Sequence, residues 1–418
     1  MTIQVRERLF NVLPQVVFVS TGIYVFANPL PLGVVQEAAY YVAVIGFIIL
    51  LLTRKIDLPI KIPLFIGLWL FLLWAVIGLC FTLDFSNTLH DIRGYLIEYL
   101  LIFYLLIVFY QSKEKLGWLA GIIIVSSFLF AVGGLILFYV IEGHAISDRF
   151  GLSFRKMYTG FMCFITVFAS LLSLQMFHCT PIRALRLFWF LSFTVLSVAT
   201  FLNQGRAAII AYILGLATMC LEKKKNLVFL MIALLAFSFL LPAITVRVKN
   251  LYGAEYGVLN DIREKMFRLS WEVIKDHPVT GVGYGGEIYG NAQLVDLKKY
   301  NARLPEPYQQ KQFIVTATHN TFLDVAVRTG LVGLALFLLS LGIAFYMLGC
   351  VFKHKRDEFF RPWVVCLTAC LVSYLAQAMT TDSLYGAQGI ILYLIYAMIT
   401  ILWRLAKNDT VPSTVGLK

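Results

Sequence analysis

A chain of 418 residues that is 60% hydrophobic and only 14% charged cannot cover the surfaces of two or three soluble domains, in which roughly a quarter of residues carry charge. With 34 Phe, 21 Tyr and seven Trp it is not a disordered chain either, so the expected class is an all-α integral membrane protein. The net charge of +12 raises nucleic acid as a partner, and the positions of the charges decide that question. The seven cysteines are an odd number, none falls in the long loop described below and no CxxC pair occurs. Neither a disulfide framework nor a zinc site is expected, and no cofactor.

At the N-terminus Arg6 and Arg8 precede an apolar run that ends in no small-residue cleavage site, so it reads as a retained first helix. A bilayer span needs about 20 apolar residues. Twelve segments meet or approach that length: 9–27, 35–53, 63–82, 95–111, 117–141, 157–177, 187–204, 207–221, 227–246, 329–352, 362–380 and 386–406. The seventh and eighth would be one long helix but for Asn203-Gln204-Gly205-Arg206, which breaks the apolar run as a turn would.

The cations orient these spans. With the N-terminus and every second loop on one side, that side collects 19 of the 35 Lys and Arg, including Arg54, Lys55, Lys61 and Lys223 to Lys225. The short loops opposite hold five: Arg93, Arg149, Arg155, Lys156 and Arg206. The bias predicts both termini in the cytoplasm. It also accounts for most of the basic character without nucleic acid. The chain therefore divides into nine N-terminal spans (1–246), one large extracytoplasmic loop (247–328), and three C-terminal spans with a short cytoplasmic tail (329–418).

Within the loop Ile262, Met266, Leu269 and Val273 form a one-sided stripe at helical spacing. Asp261 is placed to cap that helix and Pro278 to end it. Such a basic amphipathic helix either lies on the membrane surface or packs on its own bundle. A glycine turn, Gly281 to Gly286, follows; with no preceding strand it is not a dinucleotide fingerprint. From Asn291 to Gln312 the polar run with Pro305 and Pro307 is expected to be irregular and mobile.

Charged groups at span edges are costly and become candidates for function. On the loop side, cations outnumber carboxylates near spans seven to ten, which suits an anionic ligand such as a diphosphate, since Arg forms bidentate, permanently charged hydrogen bonds to phosphate oxygens. Arg206 stands in a two-residue turn with no adjacent carboxylate; it either meets a ligand or snorkels to the interface. Arg263 and Arg268 are five residues apart and so on different helix faces, where each could also be part of a solvated basic face. Arg149 is a further candidate for binding substrate. His319 opens Thr318-His-Asn-Thr-Phe-Leu-Asp324 just before a span. With an ordinary pKa near ~6.5, a neutral imidazole there could take a proton from a sugar hydroxyl, or it could be a satisfied interfacial histidine. Asn320 beside it is a candidate for substrate contact. Glu98, inside the fourth span, is either a proton relay or a buried partner of a neighbouring helix, with Arg93 as one possible counter-ion.

Three blocks in order resemble the O-antigen ligase and polymerase superfamily. Arg263 to Gly285, REKMFRLSWEVIKDHPVTGVGYG, is similar to that superfamily's loop. Its arginine position, counted back from His277-Pro278, falls on Arg263 with Phe267 four residues on, and not on Arg268. HNTFLDVAVRTGLVGLALFLL from His319 is similar to its "HN-x-x-L…G-x-x-G-L" entry into the next span. Asn203-Gln-Gly-Arg-Ala207 is similar to its "S/T-R-G/A" turn, with Gly205 departing from the usual hydroxyl residue. The blocks cover roughly residues 200 to 345.

The resemblance implies a membrane glycosyltransferase of the GT-C type in the bacterial inner membrane, working at the periplasmic face. It would take a glycan from an undecaprenyl-diphosphate-linked donor without metal and with inversion, and transfer it as an O-antigen ligase to a sugar hydroxyl of lipid A-core. Arg206 and Arg263 would hold the diphosphate and His319 would act on the acceptor hydroxyl. The O-antigen polymerase shares the donor and is the nearest alternative. A protein O-oligosaccharyltransferase is less expected because only Asn408 to Lys418 follows the last span. A transporter is disfavoured because no pair of broken helices occurs in matching halves.

Overall fold

The structure, a computed structural model, describes residues 3–59, 61–151, 159–221, 227–235, 260–310, 314–354 and 357–408. Among them every regular element is helical. In chain order the helices are α1 (Ile3–Ala27), α2 (Gly33–Leu52), α3 (Pro63–Gly78), α4 (Phe85–Phe109), α5 (Lys113–Ile141), α6 (Thr159–Cys179), α7 (Arg183–Leu202), α8 (Arg206–Met219), α9 (227–235), α10 (Asn260–Asp276), α11 (Leu297–Ala302), α12 (Thr321–His354), α13 (Phe360–Ala378) and α14 (Gly389–Asn408). Eight of them, α2, α4, α5, α6, α7, α12, α13 and α14, are long and apolar enough to cross a membrane, and α1, α3 and α8 contribute shorter apolar stretches. This is the architecture of a multi-pass membrane protein. The predicted ninth span is helical over 227–235, and its remainder, with the start of the long loop to 259, lies outside the described residues.

Burial separates lipid-facing helices from central ones. On α2 the large residues Val34, Val35, Tyr41, Val42, Ile45 and Ile48 are exposed, as befits a helix at the rim whose partner is hydrocarbon. Helix α14 is buried on all sides from Gly389 to Trp403, with Thr400 the one polar side chain outside its aromatic hydroxyls, which marks a helix at the centre. In a bilayer, helices associate mainly by close packing. Gly215 of α8 faces Ser373 and Leu171 with no room for a Cβ, and Ser373 Oγ–H donates to Ala211 O at 2.8 Å. Gly67 of α3 packs against the backbone of Ser340 on α12, where a Cβ would stand 3.0 Å from its Cα. Glu98 on α4 accepts a hydrogen bond from Tyr24 OH of α1 at 2.7 Å, so α1 supplies a partner for this carboxyl.

The loop departs from expectation twice. Asp261 falls inside the first turn of α10 rather than ahead of it. Residues 291–310 are folded rather than irregular. Asp296 caps α11 by accepting from the N–H groups of Lys298 and Lys299, a 3-10 turn follows at Glu306–Tyr308, and Val295, Leu297, Tyr300 and Leu304 are buried. They share a small core with Leu269, Val273 and Ile274 of α10 and with Ala326 and Val327 of α12. The apolar stripe of α10 is therefore spent on protein and not on lipid.

Candidate functional site

The glycine turn after α10 is where loop and bundle join. Val282 N–H donates to Val327 O at 2.9 Å, Gly283 N–H to Arg328 O at 3.1 Å, and Leu331 N–H to Pro278 O at 2.8 Å. These bonds require α12 to open at Gly330, whose φ of +71° interrupts the helix. A Cβ at Gly330 would collide with the Val279 carbonyl, and one at Gly281 (φ +67°) with the backbone of Arg328. Both glycines meet the two demands only glycine satisfies, positive φ and close backbone approach.

Beneath this turn Arg328 is buried. Its Nε–H donates to Asp324 Oδ1 at 2.7 Å, its Nη groups reach the carbonyls of Tyr284 and Gly286 at 3.4 Å, and the guanidinium stacks 3.8 Å over the Tyr385 ring. From α4, Asp91 Oδ2 accepts the Gly286 N–H at 2.5 Å. Arg328 thus draws together α12, the glycine turn and the segment before α14. It is a brace.

His319 has the opposite character. It is exposed and adopts a left-handed backbone, φ +48°, a conformation uncommon for a side chain of this size and held only where its surroundings fix it. They do so here on both sides. Asp382 Oδ1 accepts from Thr318 Oγ1–H at 2.5 Å and from the Asn320 N–H at 3.1 Å. Asn320 Oδ1 in turn accepts from the N–H groups of Phe322 and Leu323, capping α12, while its Nδ2 donates to Met379 O. Thr321 Oγ1–H donates to Thr381 O at 2.6 Å. The histidine is held out from a strap between α12 and the 379–388 segment. Asn320 is consequently a capping residue in this structure, its amide oxygen already occupied by the helix. Thr318 and Asp382 are the positioning residues that sequence reasoning left unassigned. Asp382 meets Thr318 from 64 residues away, a pairing that no local pattern in the sequence signals.

The Arg206 turn is built by a second strap. Gln204 has φ +53°, and Arg206 begins α8 with its side chain exposed and no ion pair among the described residues. Asn203 organises the turn: its Nδ2 donates to Phe150 O, its Oδ1 accepts from Cys163 Sγ–H, and its backbone carbonyl accepts from Arg149 Nε–H at 2.8 Å. Arg149 and Arg206 thus belong to one cluster. A Cβ at Gly205 would stand 3.0 Å from Asn203 Oδ1 and 3.1 Å from Cys163 Sγ, so Asn203 fills the space where a hydroxyl residue would sit.

The two straps communicate through α6. Thr321 Oγ1 and Tyr374 OH both bond Ser383 Oγ at 2.8 Å, the Tyr374 ring packs on Phe164, and Phe164 adjoins the Cys163 that holds Asn203. Arg263 and Arg268 are on α10, which packs on α12, and both are exposed. Arg268 is engaged by Glu264 at 2.7 Å and lies 3.8 Å over the Tyr308 ring. No group of three or more metal-ligating side chains occurs among the described residues.

Residues 191–338, about a third of the chain, match a protein-family model described as O-antigen ligase. No curated protein matches the chain. The matched segment contains Arg206, Arg263 and His319 together with the glycine turn and Arg328.

Proposed function

We propose that this chain, which the match over residues 191–338 assigns to the O-antigen ligase family, is a GT-C-type glycosyltransferase that moves a glycan from undecaprenyl diphosphate to a sugar hydroxyl of lipid A-core. The reaction takes place at the periplasmic face of the inner membrane. The observation that carries this reading is His319, held exposed in a left-handed conformation by Asp382, at the same end of α12 as the exposed Arg206 turn to which α6 connects it.

In this mechanism Arg206 and Arg263, with Arg149 and Arg268 at the margin, bind the diphosphate of the donor. Fixed guanidinium groups stabilise the charge that develops on a departing phosphate oxygen without reorganising as it forms. The acceptor hydroxyl attacks the anomeric carbon from the face opposite the diphosphate. The new C–O bond forms as the bond to the diphosphate oxygen breaks, the hydroxyl proton passes to the His319 imidazole, and undecaprenyl diphosphate leaves. Two or more arginines at one diphosphate supply the electrostatics that a divalent metal supplies elsewhere, so transfer proceeds in the presence of chelator.

The test is reconstitution of the full chain with a polyprenyl-diphosphate-linked glycan and two acceptors offered separately. Transfer to lipid A-core, with none to a second polyprenyl-linked glycan, is the expected result. The converse makes it the O-antigen polymerase, which the family match accommodates equally. Transfer to neither refutes the reading, and loss of transfer on adding chelator refutes its metal-free step.

A further inference from the structure

A histidine outside the matched segment repeats the pattern of His319, an exposed ring on a fixed support. Helix α4 is capped by Asp84, whose side chain accepts from the Asn87 N–H at 3.0 Å. One face of its first two turns then meets the glycine turn. Asn87 Oδ1 accepts from the Glu287 N–H at 3.2 Å, Thr88 Oγ1 from the Gly285 N–H at 3.3 Å, and Asp91 Oδ2 from the Gly286 N–H at 2.5 Å. Residues 87, 88 and 91 share a helix face, so α4 takes up the backbone donors of 285, 286 and 287 in succession. A Cβ at Gly285 would collide with Asn87 Oδ1, which is why this approach needs glycine.

The other oxygen of Asp91 serves the residue beside it. Asp91 Oδ1 lies 3.0 Å from His90 Nδ1, with the Asp91 side chain 7% exposed and that of His90 76%. An ionised carboxylate can only accept, so this bond places the ring proton on Nδ1. In the neutral imidazole Nε2 is then left as the acceptor. A buried carboxylate used in this way fixes the tautomer and the direction of a histidine ring together. An ordinary surface ion pair keeps both partners in water and contributes little. Here one carboxylate has been withdrawn from water, which is costly unless its oxygens are filled. One is filled by the glycine turn and the other aims His90. Directly after Asp91 the chain makes a π-helical turn, Ile92–Ile97, an irregularity that recurs at functional sites.

The dyad stands at the His319 end of the bundle. Leu83 N–H, just ahead of α4, donates to Val282 O at 3.0 Å, and Gly286 O accepts from Arg328 Nη2 of α12 at 3.4 Å. From Thr321, two residues past His319, to Arg328 the helix advances about 10 Å. The two histidines are therefore anchored on one helix about two turns apart. A chain of several sugar rings spans such an interval, whereas a single reacting hydroxyl does not.

We propose that His90, oriented by Asp91, is a saccharide-binding residue whose Nε2 accepts a hydrogen bond from a hydroxyl remote from the bond being made. Glycan transfer as proposed above, on which this assignment rests, supplies two saccharides with such hydroxyls, the donor's glycan and the acceptor's core.

The full chain, reconstituted in lipid, is assayed with donor and acceptor varied in turn. His90→Ala, at a position already in solvent, should melt like wild type. It should raise KM for one of the two substrates about tenfold, the loss of one hydrogen bond, with a smaller change in kcat. The substrate whose KM moves is the one His90 holds. Asp91→Asn keeps an oxygen for the Gly286 N–H but turns an amide N–H toward His90 Nδ1, which moves the ring proton to Nε2 and replaces the acceptor by a donor. It should raise the same KM, and adding it to His90→Ala should have no further effect on that KM. An unchanged KM for both substrates in His90→Ala overturns the proposal, and so does an Asp91→Asn protein that matches wild type. If wild type transfers no glycan, the proposed function fails, and His90 is read instead from its imidazole resonance, identified by its loss in His90→Ala. A shift on adding soluble O-antigen or core oligosaccharide upholds saccharide binding. No shift, or a shift with inorganic phosphate alone, overturns it.

Discussion

Arg328 and Arg206 lie in the same matched segment and use the same side chain for opposite purposes. Arg328 is buried, paired with Asp324, stacked on Tyr385 and aimed at two carbonyls. Arg206 is exposed at the start of a helix with no carboxylate against it among the described residues. A guanidinium whose hydrogen-bonding capacity is taken up by protein is part of the frame. One left open at the mouth of a strapped turn is available to an anion. His319 follows the second pattern, since its backbone is fixed by Asp382 while its ring is exposed. The contrast teaches that the candidate site consists of open side chains on closed backbone, and each variant below breaks one half of that arrangement.

The largest stability loss is expected at the brace. Arg328→Met leaves the buried Asp324 carboxyl without its partner, and breaking such a pair typically costs about 3–5 kcal/mol. The thermal midpoint of the purified protein should fall sharply, and Arg328→Met/Asp324→Leu, which removes both charges, should recover much of it. If the single variant melts like wild type, Arg328 is not structural. Next come the glycines on which the turn depends. Gly330→Ala must hold a side chain at positive φ against the Val279 carbonyl, at a cost of about 1–3 kcal/mol for the backbone conformation alone. The expected readout is proteolytic release of the 260–310 loop at lower temperature than in wild type.

Changes to the open side chains should leave the fold intact. Arg206→Lys preserves charge but loses the bidentate fork. Its midpoint should be unchanged while transfer drops about tenfold or more, and equal transfer would reduce Arg206 to a snorkelling cation. The smallest effect concerns Asp276, whose carboxyl is held below its usual range chiefly by the hydrogen bond from Arg303 at 2.9 Å. A depressed carboxyl contributes stability that is present above the ordinary aspartate pKa of about 3.9 and lost as pH falls through the lower folded-state value. Hydrogen exchange in α11 should therefore quicken on strong acidification in wild type. It should change less in Arg303→Gln, where Asp276 has lost that donor.

The sequence made the helices legible because each is a long apolar run bounded by charges, and it placed Arg206 in a turn because Asn203-Gln204-Gly205 interrupts such a run. It also pointed to Arg263 and His319, through blocks of residues at short spacing. What it could not convey were pairings across distance. Asp382 meets Thr318 from 64 residues away and Asp91 meets Gly286 from 195. The fold of residues 291–310 was hidden for a related reason. Leu297, Tyr300 and Leu304 do stand at helical spacing, but over a helix of only six residues set in a polar run with Pro305, and with Val295 they become a core only when α10 and α12 close over them.

The most direct measurement is the transfer rate of His319→Ala in purified, lipid-reconstituted protein whose thermal midpoint matches wild type. The account predicts a fall of about 10²- to 10⁴-fold, the usual contribution of a positioned general base, with binding of the polyprenyl-diphosphate donor retained. Transfer close to the wild-type rate in a folded His319→Ala protein would contradict it.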